Sequence, residues 1–316
     1  MKNSPSTRRL FCPVCRNRRL TKIHFPDSLL WRSCARCCTW VLLPKNKTEA
    51  YPANYYGGPA AKFSGWAQDF RTRFHRERAR IVRKESNQRN GRIYDVGCGD
   101  GLFLKEASRL GFRIAGFEPE PTPRRQAEKR LGKHLDQRLF ASLKSEKALA
   151  ITCWQVIEHL DDPRAFLRAC RHHLVDGGLL SLSTVNLGSL QAKCFGGKWL
   201  HLDPPRHLWI GNLQRVIQLV RDSGFEVEKV RYNSSEFGPV GWVDSLFNLV
   251  DTKRDRLLVC LKQGCSEPLD WLAYILSAAL APVALLLSLL EAGLNKPATF
   301  EIYARLKKDR ARRQGG

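Results

Sequence analysis

Acidic residues are scarce at both ends of this 316-residue chain. Residues 1–90 hold five Asp or Glu against 20 Lys or Arg, and residues 305–316 hold one against six. These two stretches carry +20 of the formal net charge of +23, while residues 91–304 are nearly balanced at +3. Solubility alone does not account for such clustering, so the ends point to a partner with negative charge: nucleic acid, an anionic membrane surface or a phosphorylated substrate. Low-complexity runs are also missing, and 43% hydrophobic with 26% charged residues excludes collagen-like and mucin-like classes. No internal repeat is visible. Residues 1–20 are basic and polar with no apolar core, which argues against a secretory leader. Without export, the eleven cysteines read as reduced thiols in the cytosol, some of them metal ligands, and not as a disulfide framework. The length is too great for one small module and short for two full enzyme domains, so one large domain with attachments is expected.

Composition divides the chain. Residues 1–44 are rich in Cys and Arg, and residues 45–90 form a basic linker with an aromatic cluster, Tyr51, Tyr55 and Tyr56 beside Gly57-Gly58-Pro59. Between Trp66 and Lys84, Arg71, Arg73, Arg76, Arg78, Arg80 and Arg83 alternate with Phe70, Phe74, Ala79, Ile81 and Val82 at helical spacing, which predicts a basic amphipathic helix. Residues 91–316 form the main domain. Its β-rich runs Arg92–Val96, Arg113–Phe117, Ala148–Trp154, Leu179–Ser183 and Phe225–Arg231 alternate with helical ones, the pattern of an α/β parallel sheet covered on both faces.

Cys12-x2-Cys15 and Cys34-x2-Cys37 lie 18 residues apart. Two such knuckles place four thiolates around one tetrahedral Zn²⁺, and the intervening length suits the hairpin of a zinc ribbon. Cys38 offers a second register, but the matched spacing favours Cys37; the alternative to a metal site is a set of unpaired core cysteines. A site filled by four thiolates leaves no position for water, so the zinc is expected to be structural. Arg16, Arg18, Arg19, Arg32 and Arg36 leave nucleic-acid contact open beside substrate recruitment or a folding role.

The central motif is Asp95-Val96-Gly97-Cys98-Gly99-Asp100-Gly101, at the end of a β run and the start of a helix. Glycines there let the backbone approach a ligand closely. The spacing is not the G-x-G-x-x-G of dinucleotide sites. The next strand ends at Glu118, placed to accept from ribose hydroxyls. These residues resemble motif I of class I S-adenosylmethionine-dependent methyltransferases. The resemblance extends through Thr152-Cys153-Trp154-Gln155-Val156-Ile157-Glu158-His159-Leu160-Asp161-Asp162-Pro163, through Leu174-Val175-Asp176-Gly177-Gly178, and through Ser183-Thr184-Val185-Asn186, where Val185 replaces the usual Pro. It implies a Rossmann-like, seven-stranded sheet with S-adenosylmethionine held by Asp95, Gly97, Cys98, Gly99, Gly101 and Glu118, and by Trp154 on the adenine side. As a bare strand-end residue Trp154 reads equally as packing.

Methyl transfer from a sulfonium needs an aligned nucleophile and, for a hydroxyl or amine, removal of its proton. His207, in Asp203-Pro204-Pro205-Arg206-His207-Leu208, and His159 are the candidate bases, each with a structural alternative. Glu158 is a candidate ligand of a divalent ion or a packing residue. The Asp203–Leu208 stretch resembles relatives of ubiquinone-pathway O-methyltransferases, and the layout of two cysteine knuckles, an aromatic Tyr segment and motif I resembles zinc-ribbon-fronted bacterial methyltransferases; together the resemblances imply O-methylation of a small-molecule, lipid-linked, glycan-like or quinone-like acceptor.

Trp271 to Leu290 is a run of 20 uncharged residues, with Pro282 inside it and the β-like Thr299–Arg305 after it. A complete crossing would leave that last strand on the wrong side of a membrane, and Pro282 is expected to break the helix. A hairpin over about 269–292, re-entrant or lying on the inner membrane face, is therefore predicted; an internal cap, a dimer face and a single span are the alternatives. Lys253, Arg254 and Arg256 precede it, and Arg305 to Arg313 follow it, placed to meet anionic lipid. A nucleic-acid methyltransferase and a non-enzymatic, membrane-associated binding protein are the competing functions. The sequence does not specify an oligomeric state.

Overall fold

The computed structural model describes residues 11–23, 31–43, 65–86, 90–135, 140, 146–232, 237–251 and 253–307. The Tyr51–Pro59 aromatic cluster and the tail from residue 308 lie outside these.

Three short strands, β1 (Leu20–Lys22), β2 (Trp31–Cys34) and β3 (Trp40–Leu42), precede the long helix α1 (Gly65–Glu85). The main domain then runs β4 (Arg92–Val96), α2 (Leu102–Arg109), β5 (Arg113–Phe117), α3 (Pro121–Leu131), β6 (Ala148–Trp154), α4 (Pro163–His173), β7 (Leu174–Val185) and α5 (Leu190–Phe195). It continues with β8 (Trp209–Ile210), α6 (Leu213–Asp222), β9 (Phe225–Arg231), α7 (Gly238–Val250), α8 (Arg256–Gln263), α9 (Pro268–Gly293) and β10 (Thr299–Leu306).

Local chemistry sets these boundaries. Asp162 caps α4 by accepting from the Ala165 N–H at 3.0 Å, with Pro163 at the first helical position, and Asn212 caps α6 through the Arg215 N–H at 3.0 Å. Leu213, Val216, Ile217 and Val220 make the buried stripe of α6. The central strands are buried on both faces, as parallel strands under helices must be.

The main sheet has the order β5-β4-β6-β7-β10-β9, with β10 antiparallel to both neighbours. Among the described residues it has six strands, not the seven expected. The described residues between α3 and β6, where the other strand would lie, form none. Phe140 from that stretch instead packs against Tyr94 and Phe117 at ring separations of 6.1 and 5.4 Å.

The cysteine-rich segment is not a separate bead. β1, β2 and β3 form an antiparallel sheet to which β8 adds a fourth strand. Leu42 donates its N–H to the Leu208 carbonyl at 2.9 Å, Arg164 donates to the Val14 carbonyl, and Cys12, Val14 and Val41 share a core with Trp209 and Val216.

Two expectations about the C-terminal helices change. α9 is one continuous helix through Pro282, not a broken hairpin. The proline removes one backbone donor without ending the helix. Both ends of α9 are fastened to the domain. Asp270 accepts from Arg256 at 2.7 Å near one end, and Glu291 accepts from Gln191 and Trp242 near the other. The basic residues before it are already committed: Lys253 pairs with Glu267, Arg256 with Asp251, Glu267 and Asp270, and Arg254 donates to the Gly197 and Trp199 carbonyls. One disulfide, Cys260–Cys265, stands beside nine free cysteines.

Candidate active site

The site lies at the carboxyl ends of β4, β5 and β6. After Val96 the chain turns through Gly97, Gly99 and Gly101 at φ of 68°, 55° and 76°, a region that costs other residues about 1–2 kcal/mol. The three glycines have different reasons to be there. A Cβ on Gly97 would fall 2.4 Å from Val156 Cγ2, and one on Gly101 2.9 Å from Ala127 Cβ, whereas one on Gly99 would meet nothing within 4 Å. Gly99 faces the cleft. A Gly99→Val variant is therefore expected to lose stability through the strain of its positive φ alone and to lose cofactor binding, whereas Gly97→Val adds a clash with Val156 and melts lower still; calorimetric titration beside thermal melts separates the two.

Glu118 is oriented by two backbone donors. The Gly99 N–H reaches its Oε2 and the Glu120 N–H its Oε1, both at 2.9 Å. Each oxygen keeps lone-pair capacity toward the cleft. Asp95 is buried and accepts from Thr152 Oγ1 at 2.6 Å, and burial pushes its carboxyl up to about 7. Burial also raises the Cys98 thiol.

Two lobes of about 370 and 470 Å³ meet at Gly97, Gly99, Trp154, Gln155, Phe237 and Lys262. In the first, α1 presents cations inward. Arg71 and Arg130 pair with Asp100 at 3.2 and 3.0 Å; burial works to raise that carboxyl, and the two guanidinium groups outweigh it. Arg78 pairs with Glu301 at 2.7 Å and lies over the rings of Phe74 and Trp154. Burial, with Arg78 and Arg71 nearby, lowers His75 to about 3. Part of the α1 charge, Arg71 and Arg78, is thus spent inside the molecule, which weakens the nucleic-acid reading. Trp154 stands on the wall common to both lobes, and the aromatic residues beside Glu118 are Phe117 and Phe140. Phe117, directly before the acid, was findable from its position; Phe140 carries no motif.

The second lobe brings both candidate histidines together, their rings 4.9 Å apart. His159 Nδ1 lies 2.9 Å from the Arg206 carbonyl, and His207 Nδ1 lies 2.7 Å from the His201 carbonyl. Carbonyls only accept, so each Nδ1 carries a hydrogen and each Nε2 keeps its lone pair. Burial lowers both pKa values and keeps the rings neutral. Glu158 is fully buried; Thr184 Oγ1 donates to its Oε2 at 3.0 Å while Oε1 has no partner, and burial raises its carboxyl to about 8. One ligand atom each of Glu158, His159 and His207 lies within 4.8 Å of the others, a donor set able to hold a cation.

Cys12, Cys15, Cys34 and Cys37 also converge. Their sulfurs fall within 4.8 Å of one another, with Cys12–Cys37 at 3.6 Å and Cys15–Cys34 at 3.5 Å. A tetrahedral ion with bonds of about 2.3 Å to sulfur needs edges of about 3.8 Å, so the set fits a metal. Cys38 is exposed and stands outside it.

A methyltransferase domain model matches residues 66–230, more than half of the chain. The chain belongs to the methyltransferase domain family. This S-adenosylmethionine-dependent methyltransferase is 31% identical to a ubiquinone biosynthesis O-methyltransferase of Cereibacter sphaeroides over 169 residues, which is 49% of this chain and 67% of that one. It is 37% identical over 103 residues to the enzyme of the same name from Xanthomonas axonopodis pv. citri, covering 30% and 43% of the two. A solved protein of Galdieria sulphuraria, provisionally assigned as a sarcosine dimethylglycine methyltransferase, shares its fold at TM-score 0.51 and 13% identity, over 82% of this chain and 94% of that one. The family region, residues 66–230, leaves the cysteine-bearing segment, residues 1–44, outside it.

Proposed function

We propose that this methyltransferase transfers a methyl group to a hydroxyl oxygen of a lipid-linked, glycan-like or quinone-like acceptor at the anionic inner face of the cell membrane. Asp95, Gly97, Cys98, Gly99, Gly101, Glu118 and Trp154 hold S-adenosylmethionine across the junction of the two lobes. Glu118 takes the ribose, and the adenine lies on the Phe117 and Phe140 side. His207 and His159 face the acceptor with neutral, lone-pair-bearing Nε2 atoms. Zn²⁺ in the Cys12, Cys15, Cys34 and Cys37 set is structural, and residues 1–44 with their linker, 45–90, serve the domain of residues 91–316.

The observation that carries the membrane reading is the outer face of α9. Trp271, Leu272, Ile275, Leu276, Leu286 and Leu289 are exposed along a helix about 39 Å long, at 1.5 Å per residue, with no charge among them. Because both its ends are fastened to the domain, the helix cannot stand upright across a bilayer; it lies in the plane of the surface. α8 packs beside it and contributes Leu258 and Lys262 to the second lobe, so the cleft opens next to the apolar face.

The protein is expected to float with vesicles containing phosphatidylglycerol, and Leu285→Lys/Leu289→Lys to reduce the floated fraction at least tenfold without loss of fold. In a cell extract given cofactor labelled in its methyl group, label is expected in the organic phase. Label in the nucleic-acid fraction, or wild-type protein that ignores vesicles and forms stable dimers, would overturn the reading.

A further inference from the structure

Among the described residues, Lys262 is one of six common to both lobes, and the only one of those six with an ionisable side chain. It comes from α8, far in sequence from the glycine loop, so the C-terminal helices place an amine where cofactor and acceptor must meet. The groups around it come from several elements. Arg71 of α1 and Arg206 of the loop before β8 oppose its charge, Asp255 at the cap of α8 favours it, and His159 stands neutral across the lobe. Burial, then Arg206, push the ammonium down to about 7 against the pull of Asp255, with Arg71 adding to the fall. A sulfonium bound at the junction adds a further positive charge and favours the free amine.

Resting on the methyltransferase reading, we propose that Lys262 is the catalytic base, and that the acceptor's reacting group is an acidic hydroxyl of the phenol or enol type whose anion Lys262 then holds. The acceptor O–H breaks and its proton passes to the lone pair on Nζ. The oxygen's electron pair forms the new bond to the methyl carbon as the methyl–sulfur bond breaks toward sulfur, leaving a neutral thioether. The ammonium returns its proton to solvent. An acidic hydroxyl fits because a base near pH 7 exchanges protons with such a group at little cost, whereas an alkyl hydroxyl is far too weak an acid. His159 and His207, whose pKa values burial has lowered, keep accepting Nε2 atoms and are left to receive other hydrogen-bond donors of the acceptor.

The test uses the full-length protein and 4-nitrophenol, whose absorbance differs between phenol and phenolate. Calorimetry with S-adenosylhomocysteine comes first; a folded wild type that does not bind it fails as a methyltransferase, and the present inference falls with that reading. With binding established, 4-nitrophenol at pH 6 is expected to show a phenolate band in excess of that of the free ligand in wild type and in Lys262→Arg, and no excess band in Lys262→Met, while all three bind S-adenosylhomocysteine within threefold of one another. In protein reductively methylated with ¹³C-formaldehyde, the methyl signal missing from Lys262→Arg is expected to titrate near 7. Where a phenolic acceptor turns over, Lys262→Met and Lys262→Arg are both expected to lower kcat by 10²–10⁴, with KM rising only in Lys262→Met. Cofactor binding with no excess phenolate band in wild type, an excess band that survives in Lys262→Met, or a Lys262 signal titrating at the ordinary value of a lysine would each overturn the proposal.

Discussion

Replacing Glu118 with alanine is expected to weaken S-adenosylmethionine binding by between about a hundredfold and ten-thousandfold. A hydrogen bond to a charged group contributes about 1.5–3 kcal/mol, and a ribose offers two hydroxyls, so removal of the carboxylate takes away about 3–6 kcal/mol. The carboxylate also holds the Gly99 and Glu120 N–H groups. Alanine leaves both without their partner, and the glycine loop loses the bond that keeps it facing the cleft. A fall in melting temperature therefore accompanies the loss of affinity. Glu118→Gln separates the effects: the amide carbonyl still accepts one backbone bond, so stability recovers in part, while affinity stays low because one ribose partner is gone. Calorimetric titration at low temperature, with melts run in parallel, reads both quantities. An affinity unchanged in Glu118→Ala would remove the acid from the cofactor site.

Loss of metal from the cysteine cluster is expected to act on the acceptor side of the cleft while sparing the cofactor side. Structural zinc supplies about 10–16 kcal/mol in small zinc-dependent folds, comparable to the whole stability of a domain, about 5–15 kcal/mol. Cys34→Ser, or exhaustive chelation, should therefore release β1 to β3. β8 then loses its partner strand, and Leu208, one residue past His207, loses the Leu42 N–H that meets its carbonyl. Glu118 and the glycine loop sit on β4 and β5, on the far side of the main sheet from β9. Methyl transfer is expected to fall at least a hundredfold, with S-adenosylhomocysteine affinity within threefold of wild type. Zinc analysis by mass spectrometry should find one equivalent in the wild type and less than a tenth in Cys34→Ser. A variant that transfers methyl groups normally would reduce the cluster to an ornament of the surface.

Much of the site was legible because it is local in sequence. The glycine loop, Glu118 and the Glu158-His159 pair each sit within a few residues of a strand end, and a strand end is visible in the pattern. The cysteines were legible for a similar reason, since two matched knuckles need no knowledge of the rest of the chain. The parts that were not legible depend on distant partners. Arg78 is used by Glu301, 223 residues away, so the basic face of α1 looked free when part of it was not. Lys262 belongs to no motif and matters only because α8 folds back over the cleft. Pro282 carries a strong local signal to break a helix, and tertiary fastening at Asp270 and Glu291 overrides it. β8, two residues long, is too short to announce itself, yet it lends the N-terminal sheet a strand from the main domain.

The place of β10 in the sheet has a consequence for how the molecule is made. It is the last strand in the sequence and an interior one in space, inserted between β7 and β9. On the ribosome every earlier element, α9 included, emerges before that gap is filled. Until residues 299–306 arrive, β7 and β9 each present an unsatisfied edge, and the pairings that close the sheet span long loops, which makes them slow. The order of translation thus leaves the sheet open in its interior until its last strand is made.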